Sequence, residues 1–267
     1  MSSALLNFVH ISDTHIHPSE DYIKSYADYT PRIGAEALVK AINDLPVAPD
    51  FVLHTGDVAY DPDPEAYTAV VDILSQIQCP IHYLAGNHDE ATALQQIVMG
   101  RGESDTLTPL HFDFEHGGVQ FVGVDSNGPA EPPAGFIIES QLDWLDGICS
   151  ADDERPLVIA THHNPVHGHI PWLENWMGIQ NADDLHRILL KAKERLLGVF
   201  FGHIHQNVHV MQDGILYTAA ASSWCQFGAY PNMTDTISDE AAKPGFSFVS
   251  VFPEQLFIRR YWFDPTT

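Results

Sequence analysis

In the N-terminal part of the chain, apolar runs of strand length alternate with amphipathic stretches of helix length, and this rhythm limits the fold more than any other feature. Residues 5–11 read as a strand. Residues 31–44 read as a helix, with Pro31 in the first turn and Ile33, Ala37, Leu38, Ala41 and Ile42 at helical spacing. Residues 51–55 are strand-like, 64–77 helical with Tyr67, Val70, Val71 and Leu74 on one face, and 81–85 strand-like again. A βαβαβ order implies parallel strands joined by helical crossovers.

The pattern changes beyond residue 108. Segments 111–115 and 119–125 flank Gly117 and Gly118, the signature of a hairpin. A helix over 139–148, a strand over 157–161, a helix over 182–196 and a strand over 198–201 follow. The remaining strands are expected at 215–219, 246–252 and 256–262, the last two joined by a turn at Pro253 and Glu254. Two irregular segments, 127–135 and 222–244, have the length of functional or mobile loops. The whole of 1–267 is expected to form a single domain, and 45% apolar residues with 14 phenylalanines suffice for its core.

Charge narrows the function. Twelve basic residues stand against 36 acidic ones, a net charge of -24. Nucleic-acid backbones and anionic membranes are bound mainly through Lys and Arg, so neither is an expected partner. A phosphate-bearing substrate would have to be attracted by something other than surface charge, such as a bound metal. Cys79, Cys149 and Cys225 are too few and too far apart for a disulfide framework. The N-terminus has no basic region ahead of an apolar run, and no stretch approaches the roughly 20 apolar residues that span a bilayer. A cytoplasmic location is the expectation. Aromatics taken as exposed, near Trp172 and in the tail, would allow a homodimer.

Five of the expected strands end in polar clusters. These are Asp13-Thr14-His15, Gly56-Asp57, Gly86-Asn87-His88-Asp89, His162-His163 and Gly202-His203-Ile204-His205. In α/β sheets, ligands sit beyond the carboxyl ends of the strands, so all five would face one crevice. Asp13 and His15, like His203 and His205, are two residues apart, which places each pair on one face of extended chain. The glycines before Asp57, Asn87 and His203 permit sharp turns where backbone must approach closely. Carboxylate, imidazole and amide donors suit Mn, Fe, Zn or Co, and one carboxylate can bridge two ions about 3.5–4 Å apart.

This order of motifs resembles the calcineurin-like metallophosphoesterase superfamily over almost the entire chain. Ile11-Ser12-Asp13-Thr14-His15, Thr55-Gly56-Asp57 and Gly86-Asn87-His88-Asp89 resemble its class III cyclic-nucleotide phosphodiesterases and their glycerophosphodiesterase relatives. Gln141-Leu142-Asp143-Trp144-Leu145, after Val124-Asp125-Ser126, has a counterpart in that subgroup. The resemblance implies an α/β (α+β) fold, an αββα sandwich of two mixed sheets flanked by helices. It implies two divalent or trivalent ions, one held by Asp13, His15, Asp57 and His205, the other by Asp57, Asn87, His162 and His203. Asp57 would bridge them.

The implied activity is hydrolysis of a small soluble phosphodiester: a 3′,5′- or 2′,3′-cyclic nucleotide first, a glycerophosphodiester or a monoester as alternatives. Two ions can make hydroxide available near neutral pH for in-line attack. His88 would protonate the leaving oxygen, and Asn87 would touch a phosphate oxygen while ligating. His162-His163-Asn164-Pro165 departs from the His-His-Pro-Pro frequent in the family, which bears on loop shape and leaves the ligand His162 in place.

Other residues have open roles. His163 reads equally as a group facing the site or as a loop residue. His167 and His169 could line the pocket mouth with Trp172 and Trp176. His17 could reach the site or sit exposed on a loop. Trp224 and Phe227 could contact substrate or anchor the long loop. His10, His54 and His82 read as core or interface histidines, and Asp89 as an orienting hydrogen-bond acceptor.

Overall fold

The first three strands are parallel neighbours. In the computed structural model, which describes residues 3–253 and 255–266, β1 (Leu6–Ile11) pairs with β2 (Phe51–His54) and β2 with β3 (Ile81–Tyr83). Two helices make the crossovers, α1 (Pro31–Asn43) and α2 (Pro64–Leu74). Each starts with proline at its first position behind a side-chain cap: Thr30 accepts from Ile33 N–H, and Asp63 from Ala66 N–H. α3 (Ala91–Ala93) runs into a π-helical turn (Leu94–Val98), a segment for which the sequence reading had no element.

The Gly117-Gly118 hairpin joins β4 (Phe112–His116) to β5 (Val119–Gly123). After them come α4 (Glu139–Cys149), β6 (Leu157–Ala160), α5 (Pro171–Trp176), α6 (Ala182–Leu189) and β7 (Leu196–Phe201). Then come β8 (His209–Gln212), β9 (Ile215–Ala219), β10 (Gly245–Phe252) and β11 (Gln255–Trp262). One sheet has the order β11-β10-β1-β2-β3, the other β4-β5-β6-β7-β9-β8. Both are mixed, and helices cover their outer faces, the αββα arrangement expected.

Alternation along the strands explains the layering. Phe8, Phe51 and Leu53 point between the sheets, where they meet Phe121, Val158, Ala160 and Phe200. Val9 and Val52 point outward under α1 and α2 with Leu38, Tyr67 and Val70. Leu157 and Ile159 point to the opposite outer face with Leu145, Leu185 and Leu189. Strands buried on both faces read as continuous apolar runs, which is why they were visible in the sequence.

Further details differ from the sequence reading. The helix expected over 182–196 stops at Leu189 and tightens into a 3-10 turn, because Leu196 is already paired with Leu157 in the sheet. Trp172 is fully buried, its indole N–H donating to Gly228 O at 3.2 Å, so it offers nothing to a homodimer contact. Near Trp172 and in the tail, Trp176, Phe257 and Trp262 are half-exposed. Glu254 of the expected turn lies outside the described residues, while its flanks pair as an antiparallel hairpin, Phe252 opposite Gln255. Among the described residues no helix is long and apolar enough to cross a membrane.

Phe8 holds the two sheets together. Its ring stacks on Phe51 at 5.4 Å and meets Phe121 and Phe200 edge-on at 5.5 and 5.3 Å, with no exposure. Phe8→Ala should lower the unfolding free energy by about 3–5 kcal/mol, read from the urea midpoint at unchanged m-value. A loss within the roughly 0.5 kcal/mol of a surface change would contradict this account of the core.

Candidate metal centre

All five polar clusters leave the carboxyl ends of their strands, and the backbone there is bent rather than extended. Asp13, His15, Asp57, His203 and His205 have φ of 56°, 45°, 52°, 69° and 49°. Left-handed backbone at non-glycine residues costs of order 1–3 kcal/mol each and persists only where the surroundings enforce it. The ladder continues past the strands to do so: Asp13 N–H donates to Gly56 O, His15 N–H to Asp57 O and Gly202 N–H to His162 O, at 2.9–3.0 Å. Ser222 Oγ donates to Asp13 O at 2.7 Å, drawing the long C-terminal loop onto the same point.

The side chains then converge. The ligand atoms of Asp13, His15, Asp57 and His205 lie within 4.8 Å of one another, all buried. His15 Nε2 is 2.9 Å from His205 Nε2 and 3.6 Å from Asp57 Oδ2, and His205 Nε2 is 3.4 Å from Asp13 Oδ1. On the other side of Asp57, His162 Nε2 is 3.4 Å from Asp57 Oδ2 and 3.2 Å from Asn87 Oδ1. His203 joins His162 in a second group that also contains His163. The structure thus brings together Asp13, His15, Asp57, Asn87, His162, His203 and His205, and adds His163, whose Nδ1 pairs with Ser126 Oγ at 2.7 Å.

Backbone carbonyls fix which ring nitrogens carry protons. His162 Nδ1 donates to Thr55 O at 2.7 Å, and His205 Nδ1 to Cys225 O at 3.0 Å. Carbonyls only accept, so each Nε2 presents a lone pair inward when the ring is neutral. His162 Nε2, Asp57 Oδ2 and Asn87 Oδ1 are then three neighbouring acceptors, and His203 Nε2 is buried with no hydrogen-bond partner among the described residues. Buried acceptors without donors are costly. A cation among them removes the cost, so the donor set fits metal.

Electrostatics point the same way. Burial raises the Asp13 carboxyl above its usual range and holds His15, His203 and His163 well below the usual imidazole range. Burial opposes both charges of the Asp57–His162 pair, but each charge outweighs it for the other. Asp57 stays ionised far into acid, and His162 is pushed up to about 9.

Asp89 is taken up by backbone donors. It accepts from Val58, Ala59 and Gly86 N–H at 3.0, 3.1 and 2.9 Å, tying the turn after Asp57 to the turn before Asn87. His88 lies half-buried at the pocket wall, its backbone N–H on Asp57 Oδ1 at 2.9 Å and its Nδ1 on Tyr60 O at 2.6 Å. Of the residues with open roles, Trp224 and Phe227 line the cavity, whereas His167 and His169 are exposed and do not. His17 stacks on Tyr22 at 3.8 Å and is not part of the cavity lining. His10 and His54 are buried within strands. Sequence reasoning missed Tyr60, whose position three residues past Asp57 was the available signal, and Tyr26, whose loop carried none.

Two packed sheets with this cage at one edge define a phosphoesterase architecture. The calcineurin-like phosphoesterase family matches residues 6–207, and the chain belongs to that family. It is 26% identical to a 3′,5′-cyclic-nucleotide phosphodiesterase of Nostoc sp. over 93% of this chain and 89% of that protein. It is 28% identical to the 3′,5′-cyclic adenosine monophosphate phosphodiesterase CpdA of Pseudomonas aeruginosa, over 93% and 86%. Among solved structures, a dimetal phosphatase from Danio rerio shares the fold with a TM-score of 0.70 at 16% identity, covering 97% of both chains. GAP50, the anchor in the inner membrane complex of Plasmodium, shares it at 0.65 and 15% identity over 96% and 84%.

Two predictions follow from the packing and the charges. A Cβ at Gly86 would overlap Asp57 Oδ1 and its backbone N. Gly86→Ala therefore displaces a central carboxylate while every ligand remains, and should cost about 10–100-fold in divalent-cation affinity by calorimetric titration. Unchanged affinity would remove Asp57 from the cage. Separately, metal-free His162 holds a proton up to about pH 9 that an incoming cation must displace. Affinity should therefore rise about tenfold per pH unit for each proton displaced as pH climbs from 7 toward 9, with proton release seen in buffers of different ionisation enthalpy. A pH-independent affinity over that window would contradict the inward lone pair.

Proposed function

We propose that the chain is a metal-dependent phosphodiesterase for a small diester, a 3′,5′-cyclic nucleotide before a 2′,3′-cyclic nucleotide or glycerophosphodiester. The observation that carries this is the convergence of acceptor atoms from five strand ends around Asp57, with Asp13, His15 and His205 gathered with it and His162 and Asn87 on its other side. The curated relatives, which are cyclic-nucleotide phosphodiesterases, support the choice of substrate.

Asp13, His15, Asp57 and His205 would hold one ion, and Asp57, Asn87, His162 and His203 the other, with Mn, Fe, Zn and Co all suited to these donors. Such ions supply a nucleophile at neutral pH and neutralise charge growing on the phosphoryl oxygens. The chain supplies the orientation. Thr55 and Cys225 carbonyls hold two imidazoles in the ligating tautomer. The Asp57 carboxylate keeps its direction by accepting from His88 N–H.

His88 would move the proton. With Nδ1–H on the Tyr60 carbonyl, the ring is locked and its Nε2 is the free nitrogen at the cavity that also holds the ligands. A protonated His88 can donate from Nε2 to the oxygen that leaves phosphorus, a role worth about 10²–10⁴-fold. Asn87, beside it, keeps its amide N–H available to a phosphate oxygen while its carbonyl oxygen faces His162.

The test is a substrate panel after metal reconstitution, containing 3′,5′- and 2′,3′-cyclic nucleotides, glycerophosphocholine and matched monoesters. His88→Ala should keep its metal and lose about 10²–10⁴-fold in kcat on a ribose alkoxide leaving group, and far less on p-nitrophenolate. Equal losses on both leaving groups would remove the proton-donor role. Asp57→Ala should lose at least one ion by elemental analysis, and unchanged metal content would refute its bridging position.

A further inference from the structure

Beside the cage lies a cavity of about 290 Å³. One wall is made by ligands and His88; the rest is mainly aromatic, with Tyr26, Tyr60, Trp176, Trp224 and Phe227, interrupted by Pro133, Met177, Cys225 and Thr236. Phe227 stacks on the His205 ring at 4.8 Å, so aromatic surface begins directly at the ligand set. Trp224 is fixed from behind, its indole N–H donating to Tyr29 O at 2.9 Å, and Tyr26 leans on Trp224 and Phe227 at 5.8 and 6.2 Å. Tyr26 and Trp176 come from separate segments and stay 40% and 48% exposed, leaving large ring surfaces in water at the cavity rim.

The charges in and around the cavity select among occupants. The chain has 36 acidic residues, yet among the described residues the cavity lining contains one carboxylate, Asp57, already committed to the cage. A quaternary ammonium group also favours aromatic walls. Here, however, the Lys24 ammonium sits 5.3 Å from the Tyr60 ring centroid and 5.5 Å from that of Tyr22. That cation repels a second one, and the one lining carboxylate, Asp57, is turned to the imidazoles of the cage. A neutral planar heterocycle loses nothing to Lys24 and gains ring surface.

Resting on the phosphodiesterase reading, we infer that Tyr26, Trp176 and Phe227 form a nucleobase subsite, which makes a nucleoside phosphate the substrate class and excludes a choline-type headgroup. The grip is by stacking, which every base offers and larger ring systems offer more strongly, so purines are held more tightly than pyrimidines.

Product binding separates this inference from the reading beneath it. Metal-reconstituted protein is titrated calorimetrically with 5′-AMP, 5′-CMP, ribose 5-phosphate and phosphocholine. 5′-AMP should bind about tenfold more tightly than ribose 5-phosphate, with 5′-CMP between them and phosphocholine weakest. Tyr26→Ala and Trp176→Ala should each collapse the AMP-to-ribose-phosphate ratio toward one, while Trp176→Phe, which keeps a ring, restores most of it. Equal affinity for 5′-AMP and ribose 5-phosphate, an unaltered ratio in both alanine variants, or tightest binding of phosphocholine would each overturn the subsite and leave the phosphodiesterase reading standing. If no phosphate in the series binds and no diester is cleaved, that reading fails together with the subsite that rests on it.

Discussion

The buried carboxylate of Asp57 is the constraint around which the site is arranged. It is 2% exposed, it accepts from the His88 backbone, and imidazoles approach it from both sides. A buried carboxylate is tolerated only with compensating positive charge or donors. With the Thr55 and Cys225 carbonyls occupying the outer nitrogens, the inner nitrogens of His162 and His205 can supply that charge only by taking up protons or by sharing a cation. Either way the interior of the cage must hold positive charge, and the fold converges on that requirement from both sheets.

The same requirement accounts for the strain. Positive φ at Asp13, His15, Asp57, His203 and His205 is expensive, and it is concentrated where five loops must turn toward one point. The compensation comes from rigid parts: ladder hydrogen bonds running past the strand ends, Asp89 clamping two turns together, and the phenylalanine layer between the sheets. Gly202 shows how tight the packing is, since a Cβ there would overlap Ser12 Oγ and approach Asp13 Oδ2 to 2.8 Å.

Much of this was legible in the sequence, for physical reasons that also set the limits. Strands such as Phe51–His54 are buried on both faces and appear as unbroken apolar runs, and ligands at their ends appear as polar clusters after those runs. Helices were visible where an apolar face repeats, as in α1 and α2. The π turn at Leu94–Val98 was hidden because it buries only Leu94 and Gln95. The edge strand β8 was hidden because half of it faces water, and α5 because six residues are too few to show a period. Trp172 and Trp176 share one short helix yet lie at opposite extremes of burial, which no local pattern distinguishes. The carbonyls that set the histidine tautomers could not be read at all, since every residue type carries one. The cavity aromatics come from loops whose paths depend on the finished fold.

Fold and chemistry are separable here. An architecture shared with both a phosphatase and a membrane-complex anchor carries no reaction by itself. What a hydrolytic site needs beyond the sandwich is acceptor atoms gathered closely enough to share a cation, an imidazole nitrogen beside them, and a cavity that opens onto both. This chain places all three within one opening, and keeps that opening nearly free of carboxylates on a protein of net charge -24. A surface charge of that size acts over a Debye length, whereas inside the opening the nearest groups of the cage set the field.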